Sequence, residues 1–157
     1  MTKSPQFLAK RLRSEGENMT AFFAELSDAD WEKEVYTEGA TWTVRNVLAH
    51  FVTAEQGFLK IFADIVSGGE GVSKDFDIDR YNANQQEKAQ ALSQQELLVQ
   101  FQGVREKMAT WVEGLSEDDL AKIGRHPYLG ENTVAEMVKL VYRHNQIHYR
   151  DMRRERE

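Results

Sequence analysis

Two histidines four residues apart, His144 and His148 in the segment RHNQIHYRD, are the side chains most able to do chemistry in this sequence. On a helix, this spacing places both on one face, so two imidazole nitrogens can reach one ion at about 2.0 to 2.1 Å. By helical wheel, His148 and Met152 continue an apolar stripe made by Val134, Met137, Val138 and Val141, and His144 lies on its flank. Imidazoles that face inward lose water and tend to be neutral, so the pair needs partners or a metal. A third histidine, His50, sits at the flank of another apolar stripe. Ala54 and Gly57 follow on its side, and such small residues leave space for a metal, a water or a substrate group. Three histidines from two helices leave positions for water, as in catalytic rather than closed structural zinc sites.

The chain has no cysteine, which rules out disulfides, thiolate ligands and a cysteine nucleophile and leaves nitrogen and oxygen to hold any metal. The pair is not HExxH, because Asn145 stands where that motif has glutamate, so peptidase chemistry is disfavoured. Glu55, Asn145 and Asp151 lie close in sequence to the three histidines and are the candidate acid–base or supporting groups. Glu55 reads equally well as a surface carboxylate. His126 precedes Pro127 off every stripe and is expected to be an exposed loop residue outside the site. Trp42, Phe51 and Phe58 can wall a pocket, although aromatics at helical spacing are more often core.

Positioning these groups falls to helices, since only Pro5 and Pro127 occur and neither interrupts a periodic segment. Ser4 and Pro5 begin a first helix that runs to about Ser27 through Leu8, Leu12, Met19, Phe22, Phe23 and Leu26. Thr43 caps a second helix, with the stripe Val44, Val47, Leu48, Phe51, Phe58, Ile61, Phe62 and Ile65, ending at Ser67. The glycine-rich, acidic segment SGGEGVSKDFDID reads as a loop whose length suggests a crossover connection. A polar helical stretch from about Asp79 leads to a third long helix, where Ser93 and Glu96 form a capping box before Leu97, Phe101, Val104, Met108, Trp111, Val112 and Leu115. Thr133 and Glu136 open the last helix in the same way. No strand-like alternation is present. The reading is all-α: four amphipathic helices in one domain, packed as a bundle with a crossover connection.

With 157 residues, 41% hydrophobic and 29% charged, the chain is long enough to bury a continuous core. No apolar run is long enough for a membrane span and no signal peptide is apparent, so a cytoplasmic protein with no membrane partner is expected. A net charge of -6 without a basic block ahead of the C-terminal segment argues against a nucleic-acid partner. The final RDMRRERE interleaves acids with its arginines and reads as solvated last turns of a helix.

The segments TWTVRNVLAHFVTAE, with Trp42, Thr43 and His50, and YRHNQIHYRD, with His144 and His148, resemble the motifs of the DinB/YfiT-like superfamily. The likeness spans nearly the whole chain in length and helix order. It implies a four-helix bundle with an unusual connection order, a metal (nickel, zinc, iron or manganese) on the three histidines, and frequent homodimers. Relatives of this kind transfer low-molecular-weight thiols, isomerise maleylpyruvate or hydrolyse small electrophiles. The family often has aspartate after the first histidine of the pair, where this chain has Asn145. Three readings stay open: a metal-dependent transferase or hydrolase acting on a small molecule, a noncatalytic metal-bound bundle with a stress-response binding or interaction role, and a metal-free helical module.

Overall fold

The computed structural model describes residues 4–156, so the first three residues and the end of the basic C-terminal run lie outside it. Local chemistry sets the helix starts. Ser4 accepts a hydrogen bond from the Phe7 N–H at 3.1 Å and opens α1 (Pro5–Ala24). This helix stops short of Ser27 because Ser27 starts another, forming a reciprocal capping box with Asp30 on the one-turn α2 (Asp28–Trp31). Thr43 and Asn46 make the same box for α3 (Val44–Val66). Asp77 caps α4 (Ile78–Ala89), Ser93 caps α5 (Gln94–Glu113) and Ser116 caps α6 (Glu117–Ala121). Thr133 accepts from the Glu136 N–H to open α7 (Val134–Arg156), but the Glu136 carboxylate turns to Lys139, at 2.9 Å, rather than back to the cap.

The sequence reading expects no strands, and the structure corrects it. β1 (Glu34–Tyr36) pairs antiparallel with β2 (Trp42–Thr43), and β3 (Ile123–His126) pairs antiparallel with β4 (Gly130–Thr133). Segments this short offer no alternation to count; contact with the helices holds them.

The four long helices pack as a bundle in which α1 lies mainly against α5 and α7, and α3 lies mainly against the same two. Consecutive members α1 and α3 are therefore diagonal, as are α5 and α7. The diagonal crossings are made by the segments that carry the two hairpins. The glycine-rich segment after α3, expected from its length to cross over, instead joins neighbours, with α4 laid along α3. Its first residues are stitched to β3: Arg125 N–H donates to the Glu70 carbonyl at 2.8 Å and Val72 N–H to the Arg125 carbonyl at 3.0 Å. Gly71 permits this, because its φ of 92° is left-handed and a Cβ there would lie 2.4 Å from the Arg125 carbonyl oxygen. Among the described residues, no helix is long and apolar enough to cross a membrane.

The apolar interior falls into two clusters, one containing Leu8, Leu12, Phe58, Phe62, Met108 and Val138, the other Met19, Phe23, Phe51, Phe101 and Met152. Between them lies a buried polar layer. Arg105 of α5, 3% exposed, forms an ion pair with Glu55 of α3, donating through Nη2 at 2.7 Å and Nε at 2.8 Å. It also donates to the Asn145 side-chain oxygen of α7 and, at 3.1 Å, to the Leu12 carbonyl of α1. Gly16 makes room for it, since a Cβ there would lie 2.7 Å from the Arg105 Cγ. One guanidinium thus bonds or packs against all three of the other bundle helices.

Candidate metal centre

His50 projects from α3, and His144 and His148 project one turn apart from α7, where these two helices pack. The His50 Nε2 lies 3.2 Å from the His144 Nε2, which lies 2.9 Å from the His148 Nε2. The three groups can each offer one ligand atom, all within 4.8 Å of one another. Ligands bound tetrahedrally at about 2.05 Å are separated by about 3.3 Å, so the observed spacings fit a shared cation with small adjustments. A hydrogen-bonded account fits less well. The His144 Nε2 carries either one proton or one lone pair, and neither serves two close nitrogen neighbours at once.

The environment keeps these rings neutral and therefore able to ligate. Burial lowers the His50 pKa to about 3, reinforced by the His148 charge. Burial, then the neighbouring histidines, lowers that of His144 to about 2. Burial also lowers His148, with Asp151 opposing it. Trp42, at the start of β2, packs against His50 with ring centroids 5.0 Å apart.

Asp151 enters through a residue that the sequence reading misses. The Tyr36 hydroxyl of β1 donates to the Asp151 carboxylate and lies 2.7 Å from the His148 Nδ1. Burial and then Asp151 raise the Tyr36 pKa, so the phenol keeps its single proton. With that proton on Asp151, His148 must donate from Nδ1 to the phenol oxygen, which leaves the Nε2 lone pair facing the other imidazoles. Replacing Tyr36 with phenylalanine is expected to weaken divalent-metal binding by about 10- to 100-fold, as losing an outer partner of a ligand histidine does. Competition with a chromophoric chelator measures it, and unchanged affinity would remove Tyr36 from the centre. Only the hairpin brings Tyr36 to α7, and a lone tyrosine outside every helical stripe gives no signal in the sequence.

The remaining candidates lie elsewhere. Glu55 is 2% exposed and committed to Arg105, so it is not a surface carboxylate, and Asn145 accepts from the same guanidinium. Ala54 and Gly57 do border open space, a cavity with Tyr81 on its other side, whose hydroxyl a Cβ at Gly57 would meet at 2.9 Å. Phe51 and Phe58 are core residues at 1% and 4% exposure, and Phe58 also lines the cavity beside α4.

His126, expected to be exposed, is 2% exposed on β3. Its ring packs on Phe58 and Phe62, and its Nδ1 accepts from the Tyr128 and Leu129 N–H groups at 3.0 and 3.2 Å. Burial lowers its pKa to about 4. The unfolded chain therefore takes up a proton near pH 6.5 while the folded chain does not. Stability from this neutral ring is complete above about pH 6.5 and is lost as pH falls toward 4, by up to about 1.4 kcal/mol per pH unit. The three clustered imidazoles act in the same direction. Urea unfolding of metal-free protein is expected to give a lower midpoint at pH 5 than at pH 7, and a flat or rising midpoint would show that these rings are not buried neutral.

A family model described as the DinB superfamily matches residues 11–152. Among proteins with curated functions, no relative matches the chain. Of solved structures, YfiT from Bacillus subtilis, described as a probable metal-dependent hydrolase with an unusual four-helix bundle topology, superposes with a TM-score of 0.77 at 13% identity, over 96% of this chain and 85% of that one. The colibactin self-resistance protein ClbS, crystallised with a dsDNA, gives 0.75 at 13% identity over 100% and 98%. The sibling lethal factor precursor DfsB gives 0.69 at 15% identity over 96% and 99%. At these identities the structures speak to the fold. The family model covers most of the chain, and this protein belongs to the DinB superfamily.

Proposed function

We propose that this protein is a divalent-metal-dependent enzyme acting on a small electrophilic molecule, of the hydrolase or thiol-transferase type. His50, His144 and His148 are the ligands. The observation that carries this reading is the convergence of three neutral imidazole nitrogens, while among the described residues no fourth histidine or carboxylate joins the cluster. A closed structural site would supply a fourth protein ligand; three leave room for water or substrate. YfiT's description as a probable metal-dependent hydrolase agrees with it.

When bound, a zinc, nickel, iron or manganese ion would supply Lewis acidity, which lowers the pKa of water or a thiol and polarises a carbonyl. The chain's own residues hold and orient that chemistry. Tyr36, anchored on Asp151, fixes the tautomer and ring direction of His148. Trp42 packs against His50. A thiol-transfer version takes its thiol from solution, since the chain has no cysteine. ClbS was crystallised with DNA, but the net charge of -6 favours a small molecule over nucleic acid here.

The test is elemental analysis of protein purified without a nickel column, followed by assays on small activated esters and on electrophiles with an added thiol, before and after chelation. About one ion per chain and turnover abolished by the chelator and restored by metal are expected. Metal-free protein that cannot be loaded ends the proposal, and loaded protein inert in every assay favours the noncatalytic bundle.

A further inference from the structure

Near the triad lies a partly open cavity of about 280 Å³, bordered by α3, α4, the segment after α3 and the β3–β4 turn. Its walls include Phe58, Ile61, Val72, Phe76, Tyr81 and Tyr128. Lys60 is its sole charged lining residue, and it is exposed. Such walls suit a flat apolar body, and because the Lys60 side chain is exposed to water, the buried part of the walls carries no charge to compensate a buried ion. A dry cavity of about 150 Å³ is enough to take benzene, so this one holds a single ring with a substituent.

Among the polar lining residues, Asn82 is incompletely paired. Asn82 donates from its side-chain nitrogen to the Tyr128 hydroxyl oxygen at 3.4 Å, while its side-chain oxygen is buried with no hydrogen-bond partner. Turning the amide over exchanges the two ends and still leaves one unpaired. A buried amide end without a partner is unfavourable, and a turn of the Asn82 side chain toward a ligand group in the cavity able to donate or accept relieves it.

The three histidines do not line the cavity, but two of its lining residues stand next to them. Tyr128 lines it and stands with its ring centroid 6.0 Å from that of His144. Ala54, another lining residue, follows His50 by one turn of α3. The Tyr81 hydroxyl, donating to the Thr53 carbonyl at 3.2 Å, fixes α4 against the same turn.

Building on the metal-enzyme reading, we propose that this cavity is the substrate pocket and that it takes a small, uncharged aromatic molecule bearing one amide or hydroxyl group, held at Asn82. Fluorine NMR of the full chain with 4-fluorobenzamide, 4-fluorobenzoate and fluorobenzene tests it, in metal-loaded and chelator-treated protein. Saturable binding of the benzamide is expected, at least about tenfold tighter than the benzoate, because the walls do not repay burial of a charge. V72W, with its circular dichroism checked, fills the cavity and abolishes binding of all three probes. N82L removes the polar end without changing the size of the side chain greatly; it should weaken the benzamide about tenfold and leave fluorobenzene unchanged. Benzamide binding no tighter than the benzoate, or unaffected by both variants, overturns the proposal. Metal-loaded protein that ignores the benzamide sinks the pocket alone, whereas protein that binds it but never takes up metal sinks the metal reading alone.

Discussion

Replacing Arg105 with methionine is expected to lower the free energy of unfolding by about 3–5 kcal/mol, the usual loss when one partner of a buried ion pair is removed. The reason lies in what remains. Glu55, 2% exposed, would keep its carboxylate in the interior with no cation beside it, and the Asn145 oxygen and the Leu12 carbonyl would each lose a donor. The double variant Glu55→Leu with Arg105→Met should recover most of the loss, because apolar replacement of both ions avoids the desolvation penalty. Urea denaturation of the two variants beside wild type measures this. A loss below about 1 kcal/mol for the single variant would show that the ion pair is not fixing the bundle. Asn145 adjoins His144 on α7, so metal binding by the single variant should also weaken.

The second large effect falls on His144. Its Nε2 is the atom between the other two, 3.2 Å from that of His50 and 2.9 Å from that of His148. His144→Ala is expected to weaken divalent-metal binding by more than about 100-fold, since even outer partners of ligand histidines are worth about 10- to 100-fold. His126→Ala, whose ring sits outside the cluster on β3, should keep the ion, which separates loss of a ligand from loss of any buried imidazole. Chelator competition reads both variants. Equal affinity for wild type and His144→Ala would dissolve the triad.

The long helices were legible because their information is local. Ser4, Thr43, Ser93 and Thr133 cap the helices at the positions their side chains announce, and the apolar stripes face the core. The stripes placed all three histidines beside the interior, and the family resemblance implied that they share one site; the structure brings their ligand atoms within 4.8 Å of one another. The hairpins were not legible, because pairing over two to four residues leaves no period, and with them went Tyr36 and the burial of His126.

Arg105 was missed for a different reason, and here a signal did exist. It stands four residues after Phe101 and three before Met108, inside the stripe of its own helix. Glu55 stands likewise between Phe51 and Phe58, Asn145 between Val141 and His148, and Gly16 between Leu12 and Met19. Polar or small residues at core positions of all four bundle helices are worth reading as one buried layer, because each alone looks like an ordinary interruption of the stripe. Their pairing stays hidden until the diagonal arrangement of α1 with α3 is known.

Two of the three clustered imidazoles stand on α7, which follows every other described element along the chain. During synthesis, a chain that has emerged only through β4 holds just one member of the cluster, His50. The three imidazoles can therefore come together only after α7 has been made and has docked against α3.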